Sequence, residues 1–235
     1  MDCNVDLFYE KRFVFFIDVL GFSKKVEDST SPEEIKNIID CLKQDFIREN
    51  KRHNLEYQIT QISDCIVISF KKSARFKFLS MLLFINYMQT NALIKYGLLF
   101  RGAGTYGNLV HNDEYLFGTA YQEAYKLESK YAIYPRIIIK KEIIKKLMSI
   151  EEQSACLELL REEDIFYYID YFYNEVDSTD NVDKQKEFFI TIRTIICKNL
   201  EAQPFFIDKY LWLKEKFNIA IENFNTQSDI KIEKI

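Results

Sequence analysis

Residues 13–20, FVFFIDVL, put seven apolar side chains and one carboxylate, Asp18, into a single run that stops at Gly21. A stretch so short and so rich in Phe, Val and Ile fits a buried strand, with its charge near the C-terminal end. An unpaired carboxylate is costly to bury. A metal or a cationic partner is therefore expected beside Asp18, the plainer use being to cap the turn that follows.

Strand and helix signals then alternate along the chain. Ser31, Pro32 and Glu34 supply an N-cap, a first-position proline and a capping-box acid, and Ile35, Ile38, Ile39, Leu42 and Phe46 follow at helical spacing. The first helix is expected to run from there to about residue 50. Residues 57–62 and 65–70 are β-rich and separated only by Ser63 and Asp64, a tight hairpin with Asp64 at its tip. Residues 74–96 predict a long helix and 97–105 a strand, with Gly102, Gly104 and Gly107 punctuating a turn. The opening order is βαββαβ.

Further on, 118–129 reads as helix, 136–139 as a short strand, 141–148 as a short helix and 166–172 as a late strand. The polar, aperiodic stretch 178–186 suits a linker. Beyond it, Phe188, Phe189, Ile192, Ile195, Ile196 and Leu200, then Ile207, Tyr210, Leu211, Phe217, Ile221 and Phe224, mark the apolar faces of two helices. The expected organisation is an α+β unit over residues 1–175 with an antiparallel sheet, and a helical extension over 187–235.

Composition narrows the function classes. A net charge of −4 disfavours an obligate grip on polynucleotide, whose affinity rests on neutralising phosphates, but leaves room for a small local phosphate site. The most apolar stretch, residues 76–88, is broken by Lys77, Ser80 and Asn86 and falls short of the roughly 18 unbroken residues of a membrane span. Residues 1–4 lack the features of a signal peptide, so a cytoplasmic location is expected. Cys3, Cys41, Cys65, Cys156 and Cys197 form no CxxC pair and read as reduced, mostly buried thiols. His53 and His111 have no metal-ligand spacing and read as surface residues. Gly102, Gly104 and Gly107 match GxGxxG, but no helix opens after them as a dinucleotide site requires.

The chemistry centres on Asp18 and Asp64. Adjacent strands lie about 4.8 Å apart, so a hairpin paired beside the first strand would bring the two acids together. That spacing suits carboxylates sharing Mg²⁺ or Mn²⁺ ions about 3.5–4 Å apart in a two-metal phosphoryl-transfer site. Asp64 also has an ordinary use, since Asp favours turns.

Residues 16–23 (FIDVLGFS), Ile62-Ser63-Asp64, Arg101-Gly102-Ala103, and Phe117-Gly118 leading into 124–129 (AYKLES) together resemble the ordered signature of class III nucleotide cyclases. The resemblance spans about the first 170 residues. It is closest to the bacterial Pycsar pyrimidine cyclases, in which Tyr134-Pro135-Arg136 and Asp170-Tyr171-Phe172 also have counterparts. It implies a ferredoxin-like core in which Asp18, Asp64 and the Val19 carbonyl bind two divalent metal ions, while Gly21, Phe22 and Ser23 meet the triphosphate. It also implies a C2-symmetric homodimer with two shared sites. The ribose 3′-hydroxyl attacks the α-phosphorus and pyrophosphate leaves.

Three departures refine that expectation. The family's helix Asn and Arg are replaced by Gln122 and Lys126, still i, i+4 on one face and able to orient ribose and α-phosphate; as plain alternatives they are solvated helix residues, and Arg101 or Arg136 could add charge. Thr60 and Tyr115 stand where adenylate cyclases carry their adenine-reading Lys and Asp, and the guanine-reading Glu and Cys are missing too. Tyr57 and Tyr115 could stack on a smaller base or serve only as strand and core residues. The resemblance therefore implies UTP or CTP as substrate, with uracil favoured by the family's many cyclic UMP makers, and a separate effector activated by the product in antiviral defence. The other readings are a purine cyclase and a catalytically silent module for dimerisation or nucleotide sensing.

Overall fold

β1 (Glu10–Leu20) is the strand the apolar run predicts. Phe13, Phe15, Ile17 and Val19 are buried toward one side, and Val14 and Phe16 toward the other. Burial on both faces requires a central strand in a sheet covered on both sides. The structure is a computed structural model that describes residues 7–53, 55–72, 77–172, 182–202, 206–227 and 231–235.

The strands that follow are β2 (Tyr57–Ile62), β3 (Cys65–Lys71), β4 (Leu99–His111), β5 (Leu116–Phe117), β6 (Ile137–Lys140), β7 (Leu160–Glu163) and β8 (Phe166–Ile169). Their order is β2-β3-β1-β4-β6-β8-β7, with β5 pairing the end of β4. The first four are antiparallel, as a βαββαβ ferredoxin-like core requires. Among the described residues only β4 and β6 run parallel. The fold class is α+β, as expected.

The helices are α1 (Phe22–Asp28), α2 (Pro32–His53), α3 (Phe78–Tyr96), α4 (Thr119–Tyr131), α5 (Lys141–Leu147), α6 (Ile150–Leu157), α7 (Val182–Ala202) and α8 (Ile207–Gln227). On one sheet face Ile35, Ile38 and Ile39 of α2 pack with Phe84 and Met88 of α3 onto odd-numbered β1 residues. The opposite face carries Ala120 and Ala124 of α4 over Val14 and Phe16. Farther along, Ile192, Ile196, Leu213 and Phe217 of α7 and α8 share a core with Ala103, Ile138 and Tyr168. The C-terminal helices thus bury their apolar stripes against the sheet unit.

Several expectations change. Gly102, Gly104 and Gly107 lie inside β4, which runs on to His111. Strand packing explains two of them: a Cβ on Gly102 would sit 2.5 Å from the Phe16 carbonyl oxygen, and one on Gly104 2.6 Å from the Phe15 ring. The short helix α1 lacks an apolar repeat and buries only Phe22, so periodicity missed it. Glu34 reaches back to the Thr30 amide and hydroxyl instead of the expected Ser31. Helix α6 and strands β5 and β7 are additions to the expected order. Of the expected linker, 178–181 lie outside the described residues and 182–186 are already helix.

Asp170-Tyr171-Phe172 follow β8 instead of extending it, and they act as a clasp. The fully buried Tyr171 hydroxyl accepts from the Phe100 amide at 2.9 Å and donates to the Phe100 carbonyl at 3.1 Å. Asn86 of α3 donates to the Asp170 carbonyl at 2.6 Å. Tyr171→Phe strands a buried donor and acceptor, so urea unfolding should show a loss of about 1–3 kcal/mol at unchanged m-value. A midpoint equal to wild type would show that the clasp contributes nothing.

Candidate active site

Register brings the two acids together. Asp18 is opposite Cys65 of β3 and Arg101 of β4, and the next residue, Val19, donates its amide to the Asp64 carbonyl at 3.0 Å. The hairpin tip is thereby fixed against the end of β1. One ligand atom each from Asp18, Asp64 and Cys65 lie within 4.8 Å of one another. A strand residue's N–H and C=O point to the same side, so the Val19 carbonyl is aimed at this tip, just past the last β1–β3 pair.

Arg101 supplies the cationic partner expected beside Asp18. Its Nε donates to Asp18 Oδ2 at 2.6 Å and lies 3.1 Å from Glu128 Oε1. Glu128 is buried, and burial raises its pKa. Burial, with Asp18 and Asp64 nearby, pushes the Cys65 thiol up to about 12, which keeps it protonated. The cluster gathers more anionic groups than the single guanidinium neutralises. Oxygen donors in acidic excess fit a hard divalent cation such as Mg²⁺ or Mn²⁺.

Gly21 adopts the left-handed conformation, φ 78°, which a side chain would strain, and so turns β1 sharply into α1. The first turn of α1 has no side-chain cap. Phe22 is buried while Ser23 is exposed, and both amides belong to that uncapped turn. A cavity of 340 Å³ opens beside Gly21 and is lined by three cations, Lys24, Lys25 and Lys209, and two carboxylates, Asp28 and Glu34, but Asp18 and Asp64 do not line it.

Gln122 and Lys126 are exposed on α4, opposite the Ala120 and Ala124 stripe that meets the sheet. They point outward from their own protomer. Tyr57 corrects an expectation: it lies on the α3 face of the sheet, with its ring 6.5 Å from that of Phe70 and 5.8 Å from that of Phe84. Strand alternation puts it on the side away from Asp18. Tyr115 is half exposed in the turn joining β4 to β5, where its amide is held by Asn112.

Sequence reasoning missed Glu128 and His111. Glu128 continues the Ala120, Ala124, Leu127 stripe of α4, where a charge is out of place; that was its available signal. His111, expected at the surface, is buried. Its Nε2 lies 2.9 Å from Thr60 Oγ1 and its Nδ1 2.8 Å from Ser69 Oγ. The pattern of β4 gave no hint of this, because the bond partners come from β2 and β3.

Burial and Arg12 lower the His111 pKa to about 4, against a smaller opposing effect of Asp113. The unfolded chain therefore takes up this proton first as pH falls. Stability carried by neutral His111 is full above about pH 6.5 and is lost toward pH 4. Urea midpoints measured across that window should fall more steeply for wild type than for His111→Gln; parallel curves would contradict the assignment.

No family model matches the sequence, and no curated protein matches it. Solved structures match in fold. The monomeric guanylyl cyclase domain of the RhoGC fusion protein from the aquatic fungus Blastocladiella emersonii is 16% identical, with a TM-score of 0.51 over 68% of this chain and 95% of that one. The guanylate cyclase domain of RhGC from Catenaria anguillulae, in complex with GTP, is 14% identical, with a TM-score of 0.51 over 69% and 97%. A bacterial light-regulated adenylyl cyclase is 14% identical, with a TM-score of 0.50 over 80% and 59%. The chain has the fold of class III nucleotide cyclase domains.

Proposed function

We propose that this chain is a pyrimidine nucleotide cyclase, converting UTP or CTP to the 3′,5′-cyclic monophosphate and pyrophosphate. The observation that carries the reading is the meeting of Asp18 and Asp64 at adjacent strand ends in a fold shared with nucleotide cyclase domains. Thr60 and Tyr115, at the positions of the adenine-reading pair, favour a pyrimidine over the purines of those neighbours.

In this reading Asp18, Asp64 and the Val19 carbonyl hold two divalent ions. Such ions lower the pKa of a bound hydroxyl and neutralise charge developing on phosphate oxygens. Arg101 fixes the Asp18 carboxylate in place through the 2.6 Å bond. The Phe22 and Ser23 amides, in a first turn without a side-chain cap, donate to the triphosphate. The ribose O3′ bonds to the α-phosphorus, the bond to the β-phosphate oxygen breaks, and the hydroxyl proton leaves to solvent. Gln122 and Lys126 point away from their own acid pair, so they serve the partner's site in a C2 homodimer, orienting ribose and stabilising the α-phosphate. The product acts as a second messenger on a separate effector in antiphage defence.

The discriminating assay incubates the purified dimer with each of the four ribonucleoside triphosphates and Mn²⁺ and identifies products by mass spectrometry. A cyclic pyrimidine nucleotide is expected. A purine product would favour a purine cyclase, and no product from any of them would leave a silent module. Asp64→Ala should abolish turnover without unfolding the protein. Shared sites make a further prediction: Asp64→Ala and Lys126→Ala, each inactive alone, should on mixing recover up to about a quarter of wild-type activity, since random exchange yields one intact site in half of the dimers. Absence of recovery between exchanging subunits would contradict a site built across the interface.

A further inference from the structure

A buried polar chain crosses the sheet face that carries Asp18. Arg12 Nε donates to Ser69 Oγ at 2.9 Å, Ser69 Oγ lies 2.8 Å from His111 Nδ1, and His111 Nε2 lies 2.9 Å from Thr60 Oγ1. Arg12, Ser69 and His111 are each less than a tenth exposed, whereas Thr60 is half-buried. The remaining Arg12 nitrogens bond Glu10 and the Ser69 carbonyl. Thr60 is the least buried of the four.

The direction of this chain is set by its one member that has no choice. A guanidinium only donates, so Ser69 accepts from Arg12. Among the described residues, the acceptor left for the Ser69 hydrogen is His111 Nδ1. A neutral imidazole that accepts at Nδ1 carries its hydrogen at Nε2, and that hydrogen goes to Thr60 Oγ1. The Thr60 hydroxyl hydrogen has no acceptor among the described residues and is free to donate outward. Burial and Arg12 keep His111 neutral at physiological pH, which the tautomer requires.

Register places this donor near the acids. Asp18 and Cys65 are paired across β1 and β3, and Cys65 is opposite Ile62. In the next same-face row Phe16 is opposite Val67, and Val67 opposite Thr60. One such row is about 7 Å along a strand, and β2 lies two strand spacings, about 10 Å, across from β1, so Thr60 is about 12 Å from Asp18. A nucleotide with its phosphates at Asp18 and Asp64 extends its sugar and base over that distance.

We propose that the Arg12–Ser69–His111–Thr60 chain is a specificity device that holds the Thr60 hydroxyl as an obligate donor toward the base, selecting a carbonyl at pyrimidine position 4 over an amino group, and hence UTP over CTP. The proposal rests on the cyclase reading. Uracil offers O4, an acceptor, whereas cytosine offers N4–H₂, whose hydrogens would face the Thr60 hydrogen. A site built to bond a group discriminates strongly against a base that leaves it unpaired. Thr60 touches the base, and Ser69, His111 and Arg12 are positioning residues.

The test measures kcat/KM for UTP and CTP separately with Mn²⁺. Wild type should prefer UTP by at least about tenfold, and Thr60→Val should bring the ratio toward unity, chiefly through a roughly 10- to 100-fold loss with UTP. Thr60→Ser, which restores the hydroxyl, should restore the preference. Ser69→Ala, remote from the base, frees the imidazole to take its other tautomer and accept from Thr60, and should move the ratio toward CTP. A purely structural Ser69 would lower both rates equally. Preference for CTP by wild type, or an unchanged ratio in Thr60→Val, overturns the proposal and leaves the cyclase reading intact; no cyclic product from any triphosphate overturns both.

Discussion

The bond from the Val19 amide to the Asp64 carbonyl holds the hairpin tip against the end of the central strand. It forces two carboxylates into proximity, and the rest of the site follows from that. Like charges within 4.8 Å repel by on the order of 3 kcal/mol at an effective dielectric near 20. Arg101 offsets part of this through Asp18 but is shared with Glu128. The fold therefore holds a concentration of negative charge that a divalent cation would relieve, and the buried β1–β3 ladder supplies the rigidity that keeps the acids from moving apart.

The sheet divides its labour by face. The α3 side is hydrocarbon: Phe13, Phe15, Ile17, Ile66, Ile68 and Phe70 pack beneath α2 and α3. On the other side the apolar patch under α4 is small and is bordered by polar clusters, Asp18 with Arg101 at one end and Arg12, Ser69 and His111 at the other. Strand alternation makes this separation possible. It also explains why α4 can bury alanines inward while presenting Gln122 and Lys126 outward.

Much of the core was legible because β1, the hairpin and the long helix each carry a strong periodic signal. Asp18 stood out as the one charge in an apolar run, and Asp64 as the tip of a two-residue turn. What escaped were features set by packing between distant segments. Gly102 and Gly104 suggest a turn by sequence, yet β1 presses too closely on β4 there for side chains. Tyr57 looked available to a base until its register put it on the α3 face. His111 looked ordinary because its two partners are 42 and 51 residues away. Helix α1, with one buried residue, had no periodicity to read.

The central claim is that Asp18 and Asp64 together hold a divalent ion, and direct binding tests it without reliance on turnover. Titrating Mn²⁺ into the protein while following the free-ion signal by electron paramagnetic resonance should show saturable depletion for wild type. Asp18→Asn and Asp64→Asn, folded by circular dichroism, should each weaken that depletion by at least about tenfold. Equal Mn²⁺ binding by wild type and both variants would contradict the assignment.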